Sequence, residues 1–377
     1  TTLFIENLLP NQTYNFHSTI HPYNQSILKS NSVSVTTMDT TSHNFTWETF
    51  TFGNRNSIFR DIAIINENNI WAVGEIHTAE TDKFDSNDVW VQPYNAVHWD
   101  GVSWELKRIM FYTFCNQEHK APYPASAIFS FSDGSVAITS GSQMTFVKDE
   151  KQKGIECIPV SVSSIWGTTS QDFFVVGNGG NIAHYNGSSW RKIESCTEED
   201  LNDIYGDEKL IYVSGGSYVN SIGVLLKWNK TGFDIIKEGT YEYVDTVFEP
   251  YFVGSLSTLW LTPKGTLYFG GDALYKNKYN NWDFDRTLEG NCLRCNGGGK
   301  YYSSITKIRG NSDSDMVLVG LTNTVRHFNG VSWKQLGEEY DPNLPTLFWW
   351  YSVSMKNNEI IAVGEKGNQA IIRRFKR

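Results

Sequence analysis

Residues 162–193, VSSIWGTTSQDFFVVGNGGNIAHYNGSSWRKI, set out the pattern that governs the chain. Apolar runs too short for a helix alternate with clusters of Ser, Gly, Asn and Asp, the punctuation of antiparallel strands. The segment predicts strands over 162–168 and 173–177 around a polar turn at 170–172, a third over 182–186, an Asn-Gly turn, and a fourth starting at Trp190. Four consecutive strands with short connections make one antiparallel sheet.

The unit recurs. DIAIINENNIWAVGE with YNAVHWDGVSWELKRI occupies 61–109, and ITKIRGNSDSDMVLVG with VRHFNGVSWKQL occupies 305–336. Weaker copies begin near Ser126 (AIFSFSDGSVAITSG), Leu201 (NDIYGDEKLIYVSGG, then LLKWNKTGFDII) and Ser255 (LSTLWLTPKGTLYFGG, then LYKNKYNNWDF). The last copy, YSVSMKNNEIIAVGEKGNQAIIRRF, stops after its third strand. Between third and fourth strands, Asp100-Gly101, Asn186-Gly187 and Asn329-Gly330 predict two-residue hairpins with left-handed backbone angles, followed by Trp104, Trp190 and Trp333. Residues 44–52, NFTWETFTF, carry Trp47 at the matching place and supply the fourth strand the last sheet lacks, closing the ring and removing its edge. The expected fold is all-β: a seven-bladed β-propeller of four-stranded antiparallel blades over 44–377.

The runs IWAVGE, FFVVGNGG and IIAVGEKG, with the later HW, HY or HF, Asn/Asp-Gly and Ser-Trp segments, resemble bacterial propeller repeats of the YVTN and BNR-like superfamily. The resemblance covers 44–377 and implies the fold, but not an activity, because propellers host many unrelated functions. Residues 1–38 differ. LLPNQTYNFHSTI followed by SNSVSVTT resembles the C-terminal part of a fibronectin type III domain, with Leu8, Pro10 and Tyr14 in its tyrosine-corner pattern and Gln12 where threonine is usual. This implies a partial β-sandwich, a linker over 39–43, and a longer multidomain parent whose early strands lie upstream.

Composition narrows the partners. The chain holds 13 Trp, 19 Tyr and 22 Phe in 377 residues, and its net charge of -9 argues against a phosphate-backbone ligand, so no nucleic acid is expected. No apolar stretch reaches the ~20 residues of a membrane-spanning helix. Five cysteines neither define a disulfide framework nor exclude one or two bridges.

In a propeller the connections after the second and fourth strands share one face. Here these are the long ones, 76–93, 108–125, 237–254, 285–303 and 337–350, and long loops on a rigid scaffold are where function concentrates. They carry Tyr112, Phe114, Tyr123, Tyr241, Tyr243, Tyr251, Tyr301, Tyr302, Trp349, Trp350 and Tyr351. The candidate ligand-binding set is Trp349, Trp350, Tyr351, Tyr241, Tyr243 and Tyr301, with Lys307 and Arg309 from the inner strands; packing of the loops onto the blades is the alternative role for each aromatic. Aligning the inner strands puts Asp61, Ala127, Ser164, Asp203, Thr258, Lys307 and Ser352 at one level near the channel mouth, while Glu75 and Glu365 end second strands of adjacent blades. Asp61, Glu75, Asp203 and Glu365 are weak catalytic candidates beside the alternative of a solvated polar channel. Two positions later, Phe129, Trp166, Tyr205 and Trp260 read as packing between blades.

Other chemistry is sparse. Cys292 and Cys295 form a lone C-x-x-C in a Gly-rich loop, without the second pair a zinc site needs, and are expected to form a local disulfide, with free thiols the other account. Asp82, Asp85 and Asp88 could offer oxygen ligands to calcium, but off the spacing of a calcium loop, and a solvated acidic loop is the other account. No metal site or cofactor is otherwise expected. Sialidase aspartate boxes, a nucleophile elbow, a P-loop and H-E-x-x-H are absent, and His98, His184 and His327 recur once per blade as repeat positions. The expected function is an exported or cell-surface binding module, extracellular or periplasmic, a monomeric propeller recognising a glycan or protein through its long-loop face. The alternative is a carbohydrate-active enzyme, glycoside hydrolase or polysaccharide lyase, using the channel carboxylates.

Overall fold

Every element among the described residues of the computed structural model is a β-strand; it describes residues 5, 8, 11–23, 26–37, 40–115, 117–217, 219, 222–240, 254–271, 273–277, 285–288, 304–338 and 348–377. Seven four-stranded antiparallel sheets form the blades of a propeller. Blade 1 is Arg55–Asn66, Asn69–His77, Tyr94–Trp99 and Trp104–Lys107; blade 2 is Ala127–Ser130, Val136–Ser140, Gln143–Lys148 and Lys151–Cys157. Blade 3 is Ser164–Thr169, Asp172–Val176, Ile182–Tyr185 and Trp190–Ile193; blade 4 is Leu201–Gly206, Ile211–Ser217, Ile222–Trp228 and Phe233–Thr240. Blade 5 is Leu256–Leu261, Leu267–Gly271, Leu274–Asn277 and Asp285–Leu288; blade 6 is Ile305–Ser312, Asp315–Gly320, Val325–Phe328 and Trp333–Gln335. Blade 7 takes Phe348–Lys356, Glu359–Lys366 and Gln369–Lys376 from the C-terminal end and Thr46–Phe52 from before blade 1, in register from Ala370↔Phe52 to Lys376↔Thr46. The N-terminal strand therefore closes the ring.

The apolar runs bury both faces of each blade, as sheets packed on two sides require. Seven apolar clusters result, each straddling one blade boundary. Between blades 7 and 1, for example, Phe59, Ile62, Ile70 and Val97 meet Ile361, Val363 and Ile372, with Phe50 and Phe52 of the closing strand packed alongside.

The glycine of the repeated Val-Gly has a steric cause. The inner strand carries one extra residue in five blades: Arg60, Asn202, Ser257, Thr306 and Tyr351 are skipped in the ladder. Such a bulge bends the strand and re-aims its side chains. Beside the bulge the inner-strand carbonyl leans onto the second strand, so a Cβ on Gly74 would lie 2.0 Å from the Ile58 oxygen, and one on Gly364 1.9 Å from the Trp349 oxygen.

The Asp/Asn-Gly turns differ from expectation. Trp99 pairs with Trp104, Tyr185 with Trp190 and Phe328 with Trp333, so each loop has four residues, and only its glycine has a positive φ. The Asp or Asn is a side-chain acceptor instead: Asp100 Oδ1 takes the N–H groups of Val102 and Ser103 at 2.7 and 2.8 Å. The tryptophan that follows covers the outer strands, with Trp104 against Phe50, Phe52 and Trp99, and Trp190 against Phe173 and Tyr185.

A disulfide joins Cys115 to Cys157, 42 residues apart, and ties the loop after blade 1 to the outer strand of blade 2. Cys292 and Cys295 lie outside the described residues. Ahead of the propeller, Thr13–Phe16 pairs with Val33–Thr36 and Thr19–Ile20 with Leu28–Lys29, and Ile20, Leu28 and Val33 are exposed.

Gly74→Ala is expected to lower stability by about 1–3 kcal/mol through the forced carbonyl contact. A urea midpoint equal to that of the unsubstituted protein would show that the strand yields freely.

Candidate functional site

The inner strands carry a belt of polar side chains round the channel, and these side chains bond blade to blade. Asp61 of blade 1 takes the Ile128 N–H of blade 2 at 3.0 Å, and Ser126 of blade 2 donates to the Val162 carbonyl before blade 3 at 3.1 Å. Ser164 of blade 3 donates to Asp203 of blade 4 at 3.0 Å, and Asp203 takes Thr258 Oγ1–H and the Leu259 N–H of blade 5 at 2.9 and 3.1 Å. Thr258 takes the Ile308 N–H of blade 6 at 3.1 Å, Thr306 donates to the Trp350 carbonyl of blade 7 at 2.7 Å, and Ser352 donates to Asp61 at 2.6 Å. All seven boundaries are bridged at this level.

Asp203 is the centre of one side. It is fully buried and also receives Lys307 Nζ at 2.8 Å and the Arg309 guanidinium at 3.0 Å through both nitrogens. Burial would raise its pKa, but Arg309 and Lys307 outweigh that and hold it well below the usual carboxylate range. Arg309 is raised in turn; burial opposes its charge and Asp203 favours it, with Tyr205 and Asp61 contributing. Its guanidinium lies 5.1 Å over the Tyr205 ring. A carboxylate so held does not carry a proton near neutral pH and has no free oxygen to offer a substrate. Asp61 is similarly engaged by Ser352 and by the N–H groups of Ile62 and Ile128. Lys307 and Arg309, expected as ligand contacts, are drawn onto Asp203.

Glu75 and Glu365 sit at the long-loop face and are both paired. Glu75 Oε1 is 3.1 Å from His77 Nε2, whose Nδ1 is 2.8 Å from Asp82 Oδ2; Arg55 reaches the same carboxylate at 3.4 Å. Burial opposes the charge on Asp82, but hydrogen bonds from His77 and Thr81 and the nearby Arg55 leave its pKa lowered. Glu365 accepts from Tyr351 O–H at 3.0 Å; burial and that carboxylate push the phenol pKa up, so it stays a donor. Asp82, Asp85 and Asp88 do not converge. Asp85 Oδ1 caps the N–H groups of Asn87 and Val89, and among the described residues no three His, Cys, Asp or Glu side chains form a cation site.

Trp350 corrects an expectation: it is fully buried, parallel to Phe348 at 5.4 Å, with Arg373 over both rings. Trp349 beside it points outward and is 44% exposed. Tyr241, Tyr243 and Tyr301 lie outside the described residues. Two aromatics absent from the candidate set join Trp349 on the same face, because the 76–93 loop folds a small hairpin, Lys83–Phe84 with Trp90–Val91. Phe84 and Trp90 meet edge to face at 5.2 Å and are 64% and 42% exposed. Their signal in the sequence is the pair of runs D-K-F and V-W-V either side of S-N-D.

The neighbouring 108–125 loop presents Phe114, 66% exposed, on a backbone pinned at many points. Asn95 bonds the N–H and carbonyl of Ile109 and the carbonyl of Tyr123; Gln152 brackets Met110 and Gln143 brackets Tyr112 through both their N–H and carbonyl groups. The disulfide holds its tip. The described long-loop face of blades 7, 1 and 2 thus offers exposed rings, Phe114 among them on a loop pinned at many points.

No family model matches the chain, and no curated protein matches it. Solved structures do. YCF48 bound to D1 peptide is similar over 90% of this chain and 99% of that one at 16% identity and a TM-score of 0.57. Virginiamycin B lyase from Staphylococcus aureus is similar over 89% and 100% at 10% identity and 0.57, and the extracellular domain of a putative one component system from B. thetaiotaomicron over 86% and 39% at 10% identity and 0.57. At these identities the likeness shows the propeller fold.

Asp203→Ala is expected to cost about 3–5 kcal/mol, since it leaves the half-buried Lys307 and Arg309 beside each other without a counter-charge. Because Asp203 is depressed in the folded protein, its contribution is complete above the ordinary carboxylate value of 3.8 and is lost as pH falls below it. Urea titrations at neutral and acid pH check both; a difference between wild type and variant that does not shrink in acid would contradict this account.

Proposed function

We propose that the chain is an exported, cell-surface or periplasmic binding module whose long-loop face over blades 7, 1 and 2 takes a protein partner presented as an exposed segment. The observation that carries the reading is the set of outward rings: Phe114 on the 108–125 loop fixed by side-chain brackets and a disulfide, Phe84 and Trp90 on a loop held by its own hairpin and by Asp82 with His77, and Trp349 on the inner strand of blade 7. Large rigid aromatics lose little entropy on contact, and loops already ordered lose less again, so such a surface suits recognition. The disulfide supports an oxidising compartment. The similarity to a propeller solved with a bound peptide is consistent with a peptide-like ligand. The repeats' likeness to bacterial YVTN and BNR-like propellers supports a bacterial surface protein. The carbohydrate-active alternative gains nothing from Asp61 and Asp203, whose oxygens are engaged in holding the blades together.

Peptide and glycan arrays probed with the oxidised protein test this. Retention is expected on peptides, with Trp90→Ala or Trp349→Ala weakening it by about tenfold or more, the scale of an interface hot spot. Retention on glycans alone, or peptide binding indifferent to both substitutions, overturns the assignment.

A further inference from the structure

The repeat places a base near the end of the third strand and ties it to the residue that opens the second. His98 Nε2 meets Asn69 Oδ1 at 3.0 Å, His184 Nε2 meets Asp172 Oδ1 at 2.6 Å, and His327 Nε2 meets Asp315 Oδ1 at 2.8 Å; Arg374 and Glu359 fill the position in blade 7. In blades 1 and 3 the imidazole stacks on Trp71 or Phe174, and His98 Nδ1 has no hydrogen-bond partner. Blade 6 departs from this. Its His327 is fully buried, and its Nδ1 faces His43 Nδ1 at 2.9 Å, the two rings edge to face at 4.9 Å.

His43 lies in the segment that leads into the closing strand. That segment is held on blade 6 by Thr41, whose N–H reaches the Asn329 carbonyl at 3.3 Å and whose hydroxyl reaches the Ser314 carbonyl at 2.7 Å, and by Phe45 against the His327 ring. Arg377, beyond the last strand of blade 7, bonds both oxygens of Asp315 at 2.9 Å and the Ser42 carbonyl at 3.2 Å. The start and the end of the propeller chain meet at this cluster.

The contact between two Nδ1 atoms has room for one proton. With Asp315 accepting from Nε2–H, neutral His327 offers a bare Nδ1; His43 donates its Nδ1–H there and accepts from Ser332 O–H at its Nε2, 3.3 Å away. One added proton can sit on His43 Nε2 only with Ser332 turning to accept and with the new charge facing Lys334 and Arg377, so it weakens the docked state. A second sets N–H against N–H and breaks the contact. His43 is faced by His327 and Lys334 of blade 6 and by Arg377, while Asp315 behind His327 is already satisfied by Arg377 and Asn311. Burial first, then His327, Lys334 and Arg377, lower the His43 pKa from its ordinary 6.5. A base lowered in this way favours the docked state fully above its ordinary value and loses that contribution as pH falls below it.

We propose that His43 and His327 form a proton-operated clasp that docks residues 40–45 on blade 6 at neutral pH and releases them in acid. The closing strand keeps its ladder with Gln369–Lys376 in either state, so release leaves the ring shut and lengthens the tether ahead of it, by about 20 Å for six extended residues.

Hydrogen exchange, corrected for intrinsic rates, tests it on the whole chain. From about pH 7.5 to about pH 5, protection of the Thr41 and Phe45 amides is expected to fall about tenfold more than that of 360–363, and His43→Gln is expected to abolish the difference. Equal protection at both pH values, or the same loss in His43→Gln, overturns the clasp. Because that variant could leave the segment undocked throughout, imidazole nitrogen NMR of the unsubstituted protein supplies a second reading. The two rings are expected never to be doubly protonated while Thr41 and Phe45 stay protected, and finding both charged in the docked state also overturns it.

Discussion

Each blade boundary is crossed near the start of the inner strands by a hydrogen bond from a side chain in or next to one of them, and the rest of the architecture depends on that ring being complete. A blade alone has two apolar faces and two open edges; stacking covers the faces, but only closure brings the seventh blade against the first. The Ser352–Asp61 bond makes that last contact on the inside, and the Thr46–Phe52 strand makes it on the outside. The bulge that precedes this level explains how consecutive residues can both serve: Asn202 reaches the Leu256 carbonyl of blade 5 while Asp203 turns to Ser164, Thr258 and the two cations. The glycine opposite is the steric counterpart of the bulge.

This economy decides what the channel can do. Its carboxylates look like catalytic groups in a one-dimensional alignment, yet their lone pairs are occupied by donors from other blades and from the adjoining backbone. Polar groups buried in a ring must find partners within it, and here hydroxyls, backbone N–H groups and the Lys307–Arg309 pair provide them. The exposed rings stand instead at the long-loop rim, where Asn95, Gln143 and Gln152 bracket the backbone of the 108–125 loop.

The repeated histidines show one position put to different uses. In blades 1 and 3 the ring stacks on an aromatic and pins two strands. In blade 6 Val317 pairs opposite it, and the freed nitrogen side is taken by His43. A repeat supplies the same scaffold seven times, and in blade 6 one copy departs from the rest.

The repeat and its ring closure were legible in the chain, because strand periodicity, the Asp/Asn-Gly turns and the tryptophan after each are local signals printed several times over, and Trp47 carried the pattern to the N-terminal side. What joins distant copies was not. The Cys115–Cys157 bridge and the engagement of Asp203 by Lys307 and Arg309 link residues far apart in sequence, with no spacing rule to announce them. Trp349 and Trp350 show the limit most plainly. Alternation says that one of them faces the core, but the bulge at Tyr351 shifts the parity between this end of the strand and the rest, so only the packed blade settles that Trp350 is inside and Trp349 is out.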